Sequence, residues 1–370
     1  MPREVALGPA EVRLLSEADY ALGRLAGAAG RMVNPYLIRQ PLLRREAILS
    51  SRIEGTFTTP EQLVLLEAGV PPADQDARAS ADTREVLNYV RAMERGLELL
   101  RTIPVSLRLV RDLHAVLLDG VRGEQDRPGE FRTVQNYIGS QHAPITDARF
   151  VPPPVPEMRE ALDLWERDLH LQPEPLPLLV RLAVAHYQFE AIHPFRDGNG
   201  RVGRLLIPLL LCAHQRLTDP LLFMSAYFER HQEEYVDLLL RVSTRGAWQE
   251  WIAFFLRGVA ECAQEGQKLT DDLLALRERY HAAVRSARSS GLLGTLIDDL
   301  FRLPSITIGR TTELLGVTPA SASSNLRKLQ ALGIVAEVTG RTRGQVFVAR
   351  EILDFVGRDL ATPPSPPGRA

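Results

Sequence analysis

Apolar residues recur at intervals of three and four along most of the chain between residues 10 and 290. A representative segment contains Leu107, Val110, Leu113, Val116 and Leu117. This spacing places the apolar side chains on one face of an α-helix, whereas the alternation typical of a half-buried strand is scarce. The pattern therefore predicts a mainly α fold, organised as a helical bundle.

Changes in this pattern divide the chain into predicted domains. A first helical block covers residues 1–100, and a second covers residues 101–265. We expect a polar helix over residues 266–290 to connect the second block to a C-terminal domain at residues 291–360. The proline-rich tail at residues 361–370 carries too little apolar surface to offset the entropy of ordering, so we predict that it is disordered.

One part of the second block departs from the helical pattern. Thr133 to Ile138 and Ala148 to Val151 are strand-like and flank a turn-rich centre, and three prolines follow at residues 152–154. Two such runs around a turn predict a small β-hairpin over residues 133–151.

Residues 291–360 follow the order of a winged helix-turn-helix domain. A helix from Leu292 precedes a second predicted helix at residues 308–315, a third that starts at Thr318, and two strands around residues 340–344. Over residues 317–350, five basic residues stand against the single Glu337, which gives a net charge of +4. A local positive charge is what binding to the DNA backbone requires. A winged helix can equally serve as a dimerisation or docking surface, so DNA contact and a homodimer both stay open.

The composition of the whole chain narrows the classes of function. With 370 residues, a net charge of −2 and two cysteines, the chain is neither a polycationic coat for nucleic acid nor a disulfide framework. The longest apolar run, residues 205–213, is shorter than the roughly 20 residues that a membrane span needs. We therefore expect a soluble cytoplasmic protein with no membrane partner.

Candidate chemistry is concentrated in twelve consecutive residues that combine a base, a hard-metal ligand, a glycine turn and two guanidiniums: His193-Pro194-Phe195-Arg196-Asp197-Gly198-Asn199-Gly200-Arg201-Val202-Gly203-Arg204. The apolar run at residues 205–213 follows directly and predicts a buried helix. Asn199 and Gly200 should then lie at or near the helix N-terminus, where unpaired N–H groups and the helix dipole favour a phosphate.

The side chains and glycines of this segment suit a polyphosphate. Gly198 and Gly200 allow backbone N–H groups to turn inward, and the amide of Asn199 can add a donor. Arg201 and Arg204 are three residues apart on the predicted helix, so both guanidiniums can grip the same ligand.

Two further residues supply a metal ligand and a base. Asp197 offers a hard oxygen suited to Mg²⁺. His193 has a side chain that titrates near neutral pH and is a reasonable general base for a hydroxyl nucleophile.

The motif His-Pro-Phe-x-Asp-Gly-Asn-Gly-Arg-x-x-Arg resembles the signature of the Fic family at every defined position. The resemblance implies an all-helical Fic fold that transfers AMP from ATP to a Ser, Thr or Tyr hydroxyl of a protein, which can be the chain itself, with release of pyrophosphate. It also suggests that residues 101–265 are the catalytic core, that the hairpin is a flap aligning a target loop by strand addition, and that the C-terminal domain is the winged helix found on many bacterial relatives.

The resemblance implies a role for each motif residue. His193 would deprotonate the acceptor hydroxyl and Asp197 would hold Mg²⁺. The phosphate-binding residues would be Gly198, Asn199, Gly200, Arg201, Val202, Gly203 and Arg204, with Arg201 on the outer phosphates and Arg204 on the γ-phosphate. Tyr235 matches a position that lines the adenine pocket, although Val236 stands where many relatives have a second Tyr.

The N-terminal block contains a second motif, Ser-x-x-x-Glu-Gly, at Ser50, Glu54 and Gly55. Gly55 is a natural residue just past a helix end, so Glu54 would sit in the last turn, where the dipole disfavours a carboxylate. Fic relatives carry an inhibitory helix with this pattern, here at about residues 42–55. The resemblance implies that Glu54 pairs with Arg204, that Ser50 supports the carboxylate and that Thr58 lies near the nucleotide.

Four further possibilities stay open. His186, Glu190 and His193 are spaced by four and three and could form a metal site on one helix face. The same active site could instead remove AMP from a modified protein, with Glu54 activating water. The chain could also be a DNA-binding regulator that senses nucleotide through its Fic core. A loop histidine, His142, could touch nucleotide or target.

Overall fold

The computed structural model describes residues 5–30, 34–70, 77–139, 144–174, 176–287, 291–358 and 360. Most of these residues are helical, which confirms the predicted mainly α fold. The helices are α1 (Pro9–Ala29), α2 (Tyr36–Ile53), α3 (Pro60–Glu67), α4 (Ala77–Leu99), α5 (Leu107–Leu117), α6 (Val155–Leu169), α7 (Leu178–Ile192), α8 (Asn199–Ala213), α9 (Ser225–Arg230), α10 (Gln232–Arg245), α11 (Trp248–Ser286), α12 (Leu292–Arg302), α13 (Ile308–Leu315), α14 (Pro319–Ala331) and α15 (Arg350–Gly357).

Three short strands form one antiparallel sheet near the C-terminus. They are β1 (Ser305–Thr307), β2 (Ala336–Glu337) and β3 (Val346–Val348), and β3 lies between the other two. The side chains of β3 are buried, so this short sheet serves as one wall of a hydrophobic core.

Two compact units make up the chain. One comprises residues 1–31 and 88–266, and the other comprises residues 32–87 and 267–370. Both units are discontinuous in sequence, and the contiguous domains drawn from the sequence remain a prediction. The connecting helix expected at residues 266–290 is not separate, because α11 continues without a break from Trp248 to Ser286.

The core of the first unit is built around α7 and α8, which pack against each other. Nearly every side chain of both helices is buried. A Cβ on Gly96 of α4 would lie 2.8 Å from Leu209 of α8, so a glycine is needed for this close approach. Although α8 is strongly apolar, no helix among the described residues is both long and apolar enough to cross a membrane.

The hairpin predicted over residues 133–151 is wrong in detail. A single antiparallel bridge joins Ile138 to Phe150, and no strand extends from it within the described residues. The next hydrogen-bonded pair of such a ladder would place Asn136 opposite Pro152, which has no N–H to donate. His142 lies outside the described residues.

In the second unit, the C-terminal elements share a core with the N-terminal helices α2 and α3. Helix α2 packs against α12 and α15, and α3 packs against α15. Val64 of α3 joins the buried cluster formed by Leu303, Val346, Val348 and Leu353. The sequence suggested an independent C-terminal domain, and apolar periodicity alone could not show that its inner face covers two N-terminal helices.

The C-terminal elements follow the order predicted for a helix, a turn, a second helix and two strands. Thr307 caps α13, a left-handed Gly316 ends it, and Thr318 caps α14. Each cap satisfies an N–H group that a helix terminus leaves unpaired. These caps place α13 and α14 in contact across a three-residue turn.

Candidate active site

The predicted motif forms the connection between α7 and α8. His193 is the residue directly after α7, and Gly198 is the N-cap of α8. The expectation that Asn199 and Gly200 open a helix is therefore confirmed. Both flanking residues have left-handed backbone conformations, with φ of +49° at His193 and +77° at Gly198. Such a conformation is ordinary for glycine and costly for histidine, so neighbouring groups must hold His193 in place.

The imidazole of His193 is oriented by its own helix. Its Nδ1 lies 3.2 Å from the backbone oxygen of Glu190. A carbonyl oxygen only accepts hydrogen bonds, so Nδ1 carries the proton and Nε2 holds the lone pair. The side chain is half-buried, and its basic nitrogen is the one that is not turned toward the helix.

The backbone of the motif is held by Arg132, directly before the predicted flap, and by Asn136 within it. Arg132 Nε donates to the His193 carbonyl at 3.0 Å, and the Arg132 backbone N–H donates to the Pro194 carbonyl at 2.8 Å. Asn136 Nδ2 donates to the Phe195 carbonyl at 3.0 Å. Three consecutive carbonyls of the loop therefore accept hydrogen bonds from one short segment, which counteracts the strain at His193.

Arg132 is also anchored within its own segment. Its guanidinium donates to the carbonyls of Val134 and Pro153, and the residue is 2% exposed. A buried guanidinium with several carbonyl partners is stiff, because any movement would leave a charged donor without an acceptor.

His114 of α5 supports the loop from the other side. Its ring stacks on Phe195 with the ring centroids 3.7 Å apart. Its Nδ1 accepts from the Gly129 N–H at 2.8 Å, so the proton is on Nε2, which donates to the Asp197 carbonyl at 3.0 Å. This pattern needs a neutral imidazole, and burial lowers the pKa of His114 to about 4.

The side chain of Asn199 closes the loop on itself. Its Oδ1 accepts from the Phe195 N–H at 2.8 Å, and its Nδ2 donates to the Phe195 carbonyl at 2.9 Å. The bond to Phe195 uses one of the two N–H groups on Nδ2, so the donor role of this amide toward an anion stays a prediction.

Asp197 keeps a partly exposed carboxylate. Its Oδ1 accepts from the Gly198 N–H at 2.6 Å and lies 3.7 Å from the Arg201 guanidinium, while the side chain is 38% exposed. A Cβ on Gly123, which has φ of +89°, would lie 3.3 Å from Oδ2. Oδ2 thus faces a glycine turn, and the carboxylate retains access to solvent.

Both predicted guanidiniums emerge from a buried stretch of α8. Arg201 is 0% exposed and Arg204 is 2% exposed. Val202 is buried and Gly200 is half-buried. Gly203 packs directly against α7, since a Cβ there would lie 2.3 Å from Oε1 of Glu190. A side chain at residue 203 would therefore require the side chain of Glu190 to move.

His186 connects α8 to Tyr235. Its Nδ1 lies 3.3 Å from the Gly203 carbonyl and must therefore carry the proton, so its Nε2 accepts from the Tyr235 hydroxyl at 2.9 Å. Burial, together with the charge of Arg204, lowers the pKa of His186 to about 3. Both ring nitrogens are occupied, so the metal site considered for His186, Glu190 and His193 is not formed.

Tyr235 is 4% exposed and belongs to an aromatic cluster. Its ring stacks on Phe228 with the centroids 4.5 Å apart, and Trp251 and Phe254 lie within 6.5 Å. The hydroxyl and the ring are thus fixed by neighbours in the same unit.

Stability should fall in mild acid because of the two buried histidines. Their pKa values lie below the ordinary 6.5. As the pH falls below 6.5, the two histidines are therefore protonated in the unfolded chain while they stay neutral in the native protein. The stabilisation is complete above about pH 6.5 and is lost as the pH falls toward 4. We expect the free energy of unfolding in urea to drop by a few kcal/mol between pH 7.5 and pH 5.

The variant His114→Phe is the control for that measurement. It keeps a ring on Phe195 but cannot titrate, so its free energy of unfolding should depend less on pH. Equal slopes for the wild type and the variant would contradict the assignment of a neutral buried His114.

The predicted residues Ser50, Glu54 and Thr58 belong to the second unit, and Arg204 belongs to the first. Ser50 is fully buried on α2, and Glu54 is exposed at the C-terminal end of that helix. The hydroxyl of Thr58 is 2.8 Å from that of Thr83. The pairing of Glu54 with Arg204 remains a prediction.

The end of α2 is fixed by a two-bond cap. Gly55 has φ of +79° and donates its N–H to the Arg52 carbonyl, and Thr56 donates to the Ser51 carbonyl at 3.0 Å. These are the two hydrogen bonds of a Schellman motif, so the predicted role of Gly55 is confirmed. Thr56 also donates to Glu85 of α4, which anchors the chain directly after the cap.

Four residues that support the site were missed or misread from the sequence: His114, Arg132, Asn136 and His186. Asn136 lies in a segment chosen only for its strand-like pattern, and Arg132 directly precedes that segment. His114 looks like any histidine on an amphipathic helix. Their common feature is contact with motif carbonyls far away in sequence, and no local pattern encodes such a contact.

Comparison with known proteins identifies the family. Residues 12–98 match the family model described as "Fic/DOC family N-terminal", and residues 104–211 match the model described as "Fic/DOC family". Together these matches cover more than half of the chain. The chain belongs to the Fic/DOC family.

Curated relatives are similar at modest identity. A protein adenylyltransferase Fic of Culex quinquefasciatus is 31% identical over 164 residues, which are 43% of this chain and 28% of that protein. One of Drosophila grimshawi is 28% identical over 218 residues, 58% of this chain and 40% of that protein. The chain thus spans well under half the length of these relatives.

Solved structures share the Fic fold. A Fic family protein from Desulfovibrio desulfuricans G20 superimposes with a TM-score of 0.58 at 21% sequence identity. The superposition covers 93% of this chain and 97% of the other chain. A Fic domain containing signaling protein from Bacteroides thetaiotaomicron VPI-5482 has a TM-score of 0.54 at 16% identity, over 71% of this chain and 97% of its own. At these identities the likeness concerns the fold alone.

Proposed function

We propose that this Fic protein is an autoinhibited protein adenylyltransferase. It would move AMP from ATP to a Ser, Thr or Tyr hydroxyl of a protein and release pyrophosphate. The observation that carries this proposal is the position of His193, which directly follows α7 with its Nδ1 on the Glu190 carbonyl and precedes the N-terminus of a helix that bears two buried arginines. The names of the curated relatives support the same reaction class.

The proposed reaction is a displacement at the α-phosphorus. Nε2 of His193 accepts the proton of the target hydroxyl as its oxygen forms a bond to the α-phosphorus. The bond between the α-phosphorus and the bridging oxygen breaks, and pyrophosphate leaves with that electron pair. The Glu190 carbonyl stabilises the imidazolium formed in this step, because it already accepts from Nδ1.

Phosphate binding in this proposal rests on the start of α8. The first backbone N–H groups of a helix have no intrahelical acceptor and point toward an anion. The residues proposed to cradle the α- and β-phosphates run from Gly198 to Gly203, with Arg201 on the outer phosphates and Arg204 on the γ-phosphate. Tyr235 is proposed at the adenine and Thr58 near the nucleotide.

Asp197 is the proposed ligand for Mg²⁺. It fits that role because its carboxylate is 38% exposed and its Oδ2 faces the open turn at Gly123. Among the described residues, no group of three or more His, Cys, Asp or Glu side chains could hold a metal. A single protein carboxylate suits Mg²⁺, which keeps several waters and bridges phosphate oxygens. When bound, the ion would neutralise charge on the phosphates.

Autoinhibition is proposed to act through Glu54. Its carboxylate would pair with Arg204 and be supported by Ser50. The guanidinium of Arg204 would then be unable to bind the γ-phosphate. ATP could then bind only with its phosphates misplaced for attack.

Removal of AMP is the first alternative, because a carboxylate beside the phosphates could activate water. Incubation with a target that already carries AMP distinguishes the two reactions, since de-AMPylation releases AMP and adenylyl transfer does not. The second alternative is a DNA-binding regulator that only senses nucleotide. It predicts a salt-dependent gel shift with DNA and no label transferred from α-³²P-ATP.

The proposed partners are a target protein with an accessible hydroxyl, which can be a second copy of this chain, and DNA at the C-terminal elements. A homodimer is a further proposal, as is a cytoplasmic location. The decisive experiment is mass spectrometry of the Glu54→Gly protein after incubation with magnesium and a mixture of nucleotides. An adduct of AMP mass supports the proposal, and its absence from every protein in the reaction contradicts it.

Replacing Arg132 with lysine should slow transfer while ATP binding persists. Lysine keeps the charge but cannot reach the carbonyls of His193, Val134 and Pro153 together, so the strained backbone at His193 should relax. In the Glu54→Gly background we expect kcat to fall by about 10²-fold, the loss that a small misplacement of a catalytic group produces. Steady-state kinetics should show little change in KM for ATP.

The control for this prediction is Arg245→Lys, a substitution on an exposed arginine of α10. It should leave kcat unchanged. If Arg132→Lys kept full activity, the hydrogen bonds to the loop carbonyls would not be positioning His193.

A further inference from the structure

The outer face of α14 is exposed and basic. The helix contains no acidic residue. Ser324, Arg327 and Lys328 are exposed, and together with Ala320, Ser323 and Ala331 they line a shallow concave surface. The opposite face is buried through Ala322, Asn325, Leu326 and Leu329, so the helix is held firmly by one side and presents the other.

A second basic element lies between β2 and β3. Arg341 and Arg343 are exposed in the loop at residues 340–344, which begins and ends with glycines in left-handed conformations. The nearby acidic residue, Glu337, is engaged by the N–H groups of Thr339 and Gly340. Its carboxylate shapes the start of the loop, and the two arginines remain available to a ligand.

Duplex DNA is the partner that this surface fits. An α-helix with small outward side chains can enter the major groove, and the serines can hydrogen-bond to base edges. The arginines and the lysine can contact phosphates on both sides of the groove. An acidic protein would not require a helix with small side chains at its centre, so the combination favours DNA.

The helices behind this surface are locked together by a buried carboxylate. Asp299 of α12 accepts two hydrogen bonds from Arg310 of α13, each 2.9 Å long, and another of 2.9 Å from Arg302. Its side chain is 6% exposed. Since α13 packs on α14, a ligand that shifts α14 also acts on α12.

Helix α12 packs in turn on α2, the helix that ends at Glu54. Arg44 of α2 makes two hydrogen bonds to Glu67 of α3, at 2.8 and 2.9 Å, and Ser305 of β1 donates to the Val64 carbonyl of α3 at 2.9 Å. Helices α2 and α3 and the C-terminal elements therefore form one core. A displacement of the C-terminal elements would therefore also displace α2 and the cap at its C-terminal end.

We propose that duplex DNA, bound by α14 and the 340–344 loop, is a signal that relieves inhibition by Glu54. The inference rests on the proposed adenylyl transfer. DNA that prefers one arrangement of α12, α13 and α14 shifts the position of α2, because these helices share packed faces and the Asp299 hydrogen bonds. In the proposed autoinhibition the inhibited state is the resting state, so DNA that binds the other arrangement more tightly moves the protein away from inhibition.

The test uses the full chain and a 30-base-pair duplex of mixed sequence. We expect a gel shift at low salt that weakens as salt rises. DNA should raise transfer by wild-type protein about 5- to 150-fold, the range of a typical coupling between two sites. The Glu54→Gly protein should bind DNA and show no further rise. A double variant, Arg327→Ala with Lys328→Ala, should lose both the shift and the response, whereas Arg245→Ala on α10 should keep both.

Hydrogen exchange of the amides at residues 36–56, with and without DNA, gives a readout that needs no activity. Faster exchange at the cap of α2 in the presence of DNA is the expected result. No gel shift at low salt would overturn the proposal, as would a shift that changes neither exchange nor transfer. If the Glu54→Gly protein transferred nothing under any condition, the proposed enzyme function would fail, while the gel shift and the exchange data would still decide the DNA inference.

Discussion

The variant His193→Ala is expected to transfer no AMP. Nε2 of His193 is the base in the proposed reaction, and alanine leaves the target hydroxyl protonated at the moment of attack. Loss of a positioned general base typically costs 10²- to 10⁴-fold in rate. The experiment compares label transfer from α-³²P-ATP by Glu54→Gly and by Glu54→Gly with His193→Ala, so that inhibition does not mask the effect.

ATP binding should survive this change, because the groups proposed to bind the phosphates belong to α8 and not to His193. Calorimetry with ATP and magnesium should give a Kd within a few-fold of the parent variant. The backbone at His193 is left-handed, which alanine tolerates poorly, so a second variant is needed to separate chemistry from folding. His193→Asn suits that purpose, since asparagine adopts this conformation more readily and has no basic nitrogen.

Both variants should be folded and inactive. Far-ultraviolet circular dichroism and the thermal midpoint report on folding. Transfer by either variant at the rate of the parent would remove His193 from the mechanism and would leave the proposed reaction without a base.

The variant Glu54→Gly is expected to raise self-AMPylation sharply. Glycine removes the carboxylate proposed to hold Arg204, and the γ-phosphate can then take its place. A coupling of 1 to 3 kcal/mol corresponds to an increase of about 5- to 150-fold. Incorporation of label into the chain, measured over time at fixed ATP, checks the prediction.

Two further variants show whether the negative charge of Glu54 is responsible for the proposed inhibition. Glu54→Gln keeps the size of the side chain and removes only the charge, so it should activate nearly as well as glycine. Glu61→Gly changes an exposed glutamate in the first turn of α3 and should leave transfer at the wild-type level. Equal activity of the wild type and Glu54→Gly would contradict the proposed inhibition by Glu54.

Local sequence was sufficient to predict the helical class, the helix start at Asn199 and the helix end at Gly55. Each of these depends on residues that are neighbours in the chain, because helix periodicity, N-caps and left-handed glycines act within a few residues. The motif from His193 to Arg204 belongs to the same class: consecutive residues form one turn and one helix terminus, so their order already indicates a phosphate-binding backbone.

Contacts between distant segments were decided only by the tertiary structure. The hairpin prediction failed because a period-two pattern does not register that Pro152 would face Asn136. The hydrogen bonds between the side chain of Asn199 and the backbone of Phe195 were not predicted, because the two groups meet only when the loop closes.

The same reason separates the supporting residues from the motif. His114 and Arg132 reach the loop across 60 to 85 residues of sequence, and the charge state of His186 follows from burial that no local pattern reveals. The packing of α12 and α15 on α2 also joins segments more than 200 residues apart. The sequence alone determines which side chains of the motif are present. Only the folded core brings the residues that position them, such as His114 and Arg132, within hydrogen-bonding distance.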